Sequence, residues 1–121
     1  MQVTSSPKRT TKQTGCYLYA ILAGADSKHF GPCGIDGSLV YTISDGGLAA
    51  VVSDVPRDKL RPERRRLAAH HEVLKQLLGR GALLPMAFGI ISEGTAAIER
   101  ILDLNQEPFA EQLARLTRPV R

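Results

Sequence analysis

Hydrophobic and polar positions change rhythm several times along this chain, and each change marks an element. Residues 16–23 (CYLYAILA) are aromatic, β-branched and aliphatic and sit between Gly15 and Gly24, which predicts a first strand. Residues 25–37 hold three glycines, one proline and no helical period, and read as a loop. LVYTIS and GLAAVVSDV follow, separated by Asp45-Gly46, a pair that tolerates the positive φ of a tight turn and so predicts an antiparallel hairpin. Pro56 ends this strand, and Pro62 suits a first helical turn, where a missing N–H costs nothing. From there Leu67, His71, Leu74 and Leu78 recur at spacings of four, three and four, with Leu60 and Arg64 extending the row backwards. Gly79 and Gly81 stop that helix.

The ten residues 82–91 (ALLPMAFGII) are apolar but for Pro85 and Gly89. A bilayer span needs about 20 apolar residues, so this run predicts a buried strand rather than a membrane helix. Its bulk lies at Ala82, Leu84, Met86, Phe88 and Ile90, which should hold the helices; Leu83, Ala87 and Ile91 line a shallower face. Pro85 cannot donate to a ladder and favours an edge strand. Ala97, Ile98, Ile101 and Leu102 then predict a helix from about Thr95, and Phe109, Leu113 and Leu116 a third after a break at 105–108.

The order strand, strand, strand, helix, strand, helix, helix predicts an α+β domain. With the third and fourth strands as parallel neighbours of the first, joined by a right-handed helical crossover, it forms a four-stranded mixed sheet of ferredoxin-like type, with helices mainly on one face. A Gly-rich loop replaces the usual first helix.

Composition bounds this picture without redirecting it. A chain of 121 residues fits one domain and buries roughly two-thirds of its unfolded surface, so it needs no disulfide or metal to fold. Residues 1–14 (MQVTSSPKRTTKQT) are polar and basic with no apolar signal segment, and are expected to be a disordered tail before a single domain at 15–121. Cys16 and Cys33 form no CxxC pair and suit a reducing cytosol. The net charge is +4, concentrated where Arg57, Lys59, Arg61, Arg64, Arg65 and Arg66 face only Asp58 and Glu63. Such a cluster is a solvated helix face or a site for an anionic partner.

Catalytic chemistry finds no support. His70 and His71 point about 100° apart on a helix and belong to no HExxH motif, so His71 reads as a structural histidine in the apolar row. His29 and Cys33 are two ligands, too few for a closed metal site. No GxSxG elbow exists, and the glycines of 31–37 match neither GxxxxGK[ST] nor GxGxxG. The alternative of a small RNA-binding module would stack bases on Tyr17 and Tyr19, but GLAAVVSDV lacks the aromatics of a second RNA-binding strand. A different feature stands out: the sheet face away from the helices carries Val40, Ala49, Val51, Leu83, Ala87 and Ile91. That apolar face would dock a second domain or another protein, unless the tail or the last helix folds over it.

Four blocks in order, Tyr17-Leu18-Tyr19-Ala20-Ile21, Gly47-Leu48-Ala49-Ala50-Val51-Val52-Ser53, Ala69-His70-His71-Glu72-Val73-Leu74 and Leu84-Pro85-Met86-Ala87-Phe88-Gly89, resemble the amino-terminal half of the gas vesicle protein family GvpL/GvpF. The resemblance covers about residues 16–116. It implies a ferredoxin-like amino-terminal domain and a non-enzymatic accessory or minor structural role in gas vesicle formation, in the cytoplasm and at the vesicle. It further implies no cofactor, no metal, no nucleic acid and no membrane, and as partners the hydrophobic shell protein and other accessory proteins. Family members continue into a second α+β domain, so a chain stopping at Arg121 resembles a truncation or single-domain form. The strand motif usually has arginine where Ala87 stands and often threonine where Ile90 stands. Combined with the residue reading, Leu83, Ala87, Ile91 and Val51 would supply an apolar contact, and Arg61, Arg64 and Arg65 would orient an acidic patch of the partner.

Overall fold

The computed structural model describes residues 14–24, 29–31, 33–56, 61–78 and 83–117. The expected tail at 1–13, the basic residues Arg57 and Lys59, and the glycines 79 and 81 lie outside them. Strand β1 is Thr14–Ala23, so it begins within the stretch assigned to the tail. Within the predicted loop lie a short strand, β2 (His29–Gly31), and a single 3-10 turn at Ile35–Gly37. Strands β3 (Val40–Asp45) and β4 (Leu48–Pro56) form the expected hairpin. Its two turn residues are Gly46 (φ 62) and Gly47 (φ 88), both left-handed, with Asp45 closing the ladder against Leu48. Two consecutive positive φ values match the twist of the strands they join.

Helix α1 (Arg64–Leu78) leads to the long apolar run, which is not one strand. It is split into β5 (Leu83–Pro85) and β6 (Ile91–Ser92), both antiparallel to β1, with a turn at Phe88–Gly89 between them. Gly89 takes φ 99, a value that carries the chain out of extended geometry at little cost only for glycine. The alternation of 82–91 is broken there. Leu84 and Met86 face one core, Phe88 turns to the opposite one, and Ile90 is exposed. Pro85 does sit on an edge strand.

Among the described residues the sheet has six strands, in the order β2-β3-β4-β1-β5 with β6 also on β1. Every pairing is antiparallel, so the expected four-stranded mixed sheet is replaced by a larger antiparallel one. β4 and β5 flank β1 as neighbours, as expected, and run parallel to each other, but each pairs antiparallel with β1. Helices α2 (Thr95–Leu104) and α3 (Gln106–Thr117) follow, joined at Asn105, whose side chain donates to the Ile101 carbonyl at 2.8 Å while its carbonyl accepts the Phe109 N–H at 2.9 Å.

Both sheet faces are covered, which corrects the expectation of helices mainly on one side. Leu18, Ile21, Ile43, Ala50 and Val52 pack with Ile98, Leu102 and Leu113 of α2 and α3. Tyr17, Tyr19, Val40 and Val51 pack with Val73 and Leu77 of α1 and with Ile35. A bulge makes this division possible. The register of β1 on β4 shifts between Leu18 and Ala20, so Tyr19 and Ala20 both face α1 and the alternation resumes in the opposite phase at Ile21.

Candidate surface of helix α1 and the 86–90 loop

The first turn of α1 holds arginines and no acid, the unfavourable polarity for a helix N-terminus. The offsetting charges come from outside that turn. Asp36, in the left-handed region at φ 54, receives Arg66 Nε at 3.2 Å on each carboxylate oxygen and Arg66 Nη2 at 3.1 Å. Arg65 lies 3.3 Å from Glu63 and 4.0 Å from Asp36. Arg66 is therefore folded down onto the 35–37 turn, whereas Arg61, Arg64 and Arg65 stand in solvent. Beside them Gly34, Asp36, Gly37, Arg65 and Ala69 line an open cleft of about 440 Å³.

The apolar candidates divide. Val51 (0% exposed) and Leu83 (5%) are core residues beneath α1, so the open apolar sheet face read from the sequence does not exist in this fold. Ile91 is half-buried against the same cluster. Ala87 is exposed in the loop between β5 and β6, and Ile90 beside it is exposed as well. Thus the arginines and the loop share the α1 side of the molecule, and helix α1 connects them.

That connection runs through His70. It is His70, not His71, that α1 turns inward, in a stripe with Val73 and Leu77; His71 is exposed. The helical period also fits the row through Leu67 and Leu74, and spacing alone does not choose between neighbouring rows. The sheet chooses, because it offers the imidazole two partners. Nε2 lies 2.9 Å from the Met86 carbonyl, which can only accept, so Nε2 carries the proton. Nδ1 then accepts from the Tyr17 hydroxyl at 2.8 Å, and the Tyr17 oxygen accepts the Gly89 N–H at 3.1 Å. Phe88 packs edge-on to both rings, with centroids 5.7 Å from Tyr17 and 5.9 Å from His70.

Burial sets the titration of these groups. It pushes Tyr17 up to about 12, against the weaker opposing effect of the Gly89 N–H. It lowers the His70 imidazole from its usual value near 6.5, partly opposed by the Met86 carbonyl. Tyr17 and Tyr19 are both fully buried, so the base-stacking platform of an RNA-binding module is absent from this strand. Both ring nitrogens of His70 are engaged within the protein. Among the described residues no group of three or more His, Cys, Asp or Glu is placed to hold a metal, and no helix is long and apolar enough to cross a membrane.

The family model described as gas vesicle synthesis protein GvpL/GvpF matches residues 15–120. The chain belongs to the GvpL/GvpF family. Among curated relatives, gas vesicle protein F of Streptomyces sp. (strain CB03234) is 47% identical over 77 residues, covering 64% of this chain and 32% of the relative. Gas vesicle protein F of Nostoc sp. (strain PCC 7120 / SAG 25.82 / UTEX 2576) is 30% identical over 105 residues, covering 85% of this chain and 42% of the relative. The crystal structure of GvpF from Anabaena sp. PCC7120 superposes with a TM-score of 0.74 at 27% identity, over 86% of this chain and 44% of that one. GvpF from Microcystis aeruginosa gives 0.72 at 26% identity, over 85% and 44%. The chain thus spans less than half the length of these GvpF relatives. Its mixed α and β architecture is theirs, with an antiparallel sheet and packed helices.

Proposed function

We propose that this chain acts in gas vesicle formation as a non-enzymatic accessory or minor structural protein that binds the hydrophobic shell protein and other assembly factors in the cytoplasm and at the vesicle. The observation that carries the reading is the GvpL/GvpF match across residues 15–120. The two GvpF structures of the same fold support it. A ferredoxin-like arrangement of the sheet is supported by the order of four of its strands, β3-β4-β1-β5, with β5 at the edge and with β2 and the 35–37 turn standing where a first helix would be.

The contact surface we assign is the exposed arginine group Arg61, Arg64 and Arg65 together with Ala87 and the half-buried Ile91. Val51 and Leu83 serve it from beneath by seating α1 on the sheet. Guanidinium groups without a buried partner remain available to carboxylates of another protein, and the adjoining loop offers small apolar contacts.

Deleting the gene and complementing it with this chain tests the role directly, with buoyant vesicles as the readout. Arg61→Glu, Arg64→Glu and Arg65→Glu in one variant should weaken co-purification with shell protein and reduce its salt dependence. Undiminished binding at low salt would remove the arginines from the surface, and Ala87→Asp, checked by thermal unfolding, tests the loop in the same assay.

A further inference from the structure

We propose that His70, through Tyr17, is a pH-sensitive latch on the 86–90 loop, and that protonating its imidazole loosens the Gly89 end of this loop while the rest of the fold stays intact. Phe88 packs the loop against Tyr17 and His70, and four hydrogen bonds hold its backbone. Its ends are tied to β1 by the Met86 N–H on the Tyr19 carbonyl and the Leu18 N–H on the Ile90 carbonyl, each at 2.9 Å. Its middle is held by the Met86 carbonyl on the imidazole and by the Gly89 N–H on the Tyr17 oxygen. The Met86 bond forms in either protonation state, because Nε2 carries a proton in both, whereas the arrangement of the Tyr17 hydroxyl that receives Gly89 requires the neutral ring. Adding a proton to Nδ1 turns its lone pair into a donor aimed at the Tyr17 hydroxyl, which is already donating to it. The Tyr17 oxygen must then accept from both His70 and Gly89, and its own proton loses its acceptor.

The neighbouring groups do not relieve the added charge. β1 presents Tyr17 and Tyr19, and Tyr19 is engaged by Ser53 of β4 and by the Ile35 N–H, with Cys33 nearby. The loop presents only Met86, Ala87, Phe88 and Ile90, none of them titratable. The 35–37 turn presents Asp36, already taken by Arg66 and Arg65. His71, the next residue of α1, adds repulsion when charged. Because burial lowers the affinity of the closed site for a proton, the open loop binds that proton better. The opening equilibrium therefore rises as pH falls below the ordinary imidazole value near 6.5, by about tenfold per pH unit until the closed site itself titrates. Since β5 and β6 remain paired with β1 on either side, the opening is confined to the loop.

Amide hydrogen exchange of the intact chain by NMR between pH 7.5 and 5, corrected for intrinsic rates, tests this. Protection of Gly89 should fall by at least about tenfold, in step with the His70 ring resonances, while Ile98 and Leu102 under the opposite sheet face keep theirs. His70→Gln supplies a neutral donor and acceptor and should make Gly89 protection independent of pH. If that variant does not fold, Tyr17→Phe, which removes both the donor to Nδ1 and the acceptor of Gly89, should leave Gly89 weakly protected at every pH and raise the His70 titration midpoint, and full Gly89 protection in it would overturn the latch. The latch is overturned if Gly89 protection stays flat while His70 titrates, if His70→Gln responds like the parent, or if Ile98 and Leu102 lose protection together with Gly89.

Discussion

Gly34 lies so close under the Tyr19 hydroxyl that a β-carbon at 34 would collide with it, and would also stand 2.6 Å from Ser53 Oγ and 2.8 Å from Val40 Cγ2. The close approach lets the Ile35 N–H reach the Tyr19 oxygen at 2.9 Å while that hydroxyl donates to Ser53 Oγ at 2.9 Å. One buried phenol thereby fastens the 35–37 turn to β1 and β4.

Gly34→Ala should therefore destabilise the domain by about 1–3 kcal/mol, the usual cost of overpacking a filled site. Tyr19→Phe should cost a comparable amount, because it strands a buried N–H and a buried serine. Urea midpoints at constant m-value check both. The two changes should not add, since they damage the same junction.

The β3-β4 turn is coupled to the last helix. Gln106 Nε2 donates to the Asp45 carbonyl at 2.9 Å, and a β-carbon on Gly46 would meet the same side chain at 2.6 Å. Gly46→Ala carries the left-handed penalty of about 1 kcal/mol and displaces Gln106 as well. Gln106→Ala should consequently cost less in the Gly46→Ala background than in the parent. A double-mutant cycle from chemical unfolding measures that difference.

Asp36 combines a left-handed backbone with an ion pair, and substitutions separate the two. Asp36→Gly and Asp36→Ala both lose the contacts with Arg66 and Arg65, but only alanine bears the steric cost of φ 54. The alanine variant should be the less stable of the two by about 1 kcal/mol. Added salt should narrow the gap between parent and Asp36→Gly but leave the gap between the two variants unchanged.

The chain has three tyrosines, and burial raises the pKa of each. For Tyr41, the Asp54 carboxylate that accepts its proton at 2.7 Å raises it further. A phenol whose folded value is raised contributes stability that is intact below pH 10 and lost as pH climbs through the folded value. For Tyr17, at about 12, that loss is on the order of 2 to 3 kcal/mol. Tyrosinate absorbance should be delayed beyond the ordinary phenol range near pH 10 and appear together with the loss of circular dichroism. A gradual, non-cooperative phenolate titration near pH 10 would contradict the upward shift of all three.

Much of the fold was legible in local pattern. The β3-β4 hairpin, whose turn falls at Gly46-Gly47, one residue on from the expected Asp45-Gly46 pair, the glycine-bounded first strand, and the Ile98, Leu102 and Leu113 positions of the last two helices each follow from short-range stereochemistry or from helical period, which act within a few residues. The candidate surface was less legible. Its arginines stand exposed as charge alone would place them, but Val51 and Leu83 look the same in sequence whether α1 covers their face or leaves it bare.

What the sequence by itself determined is the positions of β1, the β3-β4 hairpin and the three helices, the family, and the basic character of the start of α1. Tertiary structure alone decided the rest. The bulge at Tyr19 moved two neighbouring side chains to one face, the kink at Gly89 divided an uninterrupted apolar run, and two cores formed where alternation along each strand implied one. It also turned His70 inward in place of His71. Adjacent helical rows differ little in apolar content, so the choice fell to a phenol 53 residues away and a carbonyl 16 residues away, each within 3 Å of the ring. Hydrogen bonds of that kind are set by the meeting of distant segments, and no local periodicity encodes them.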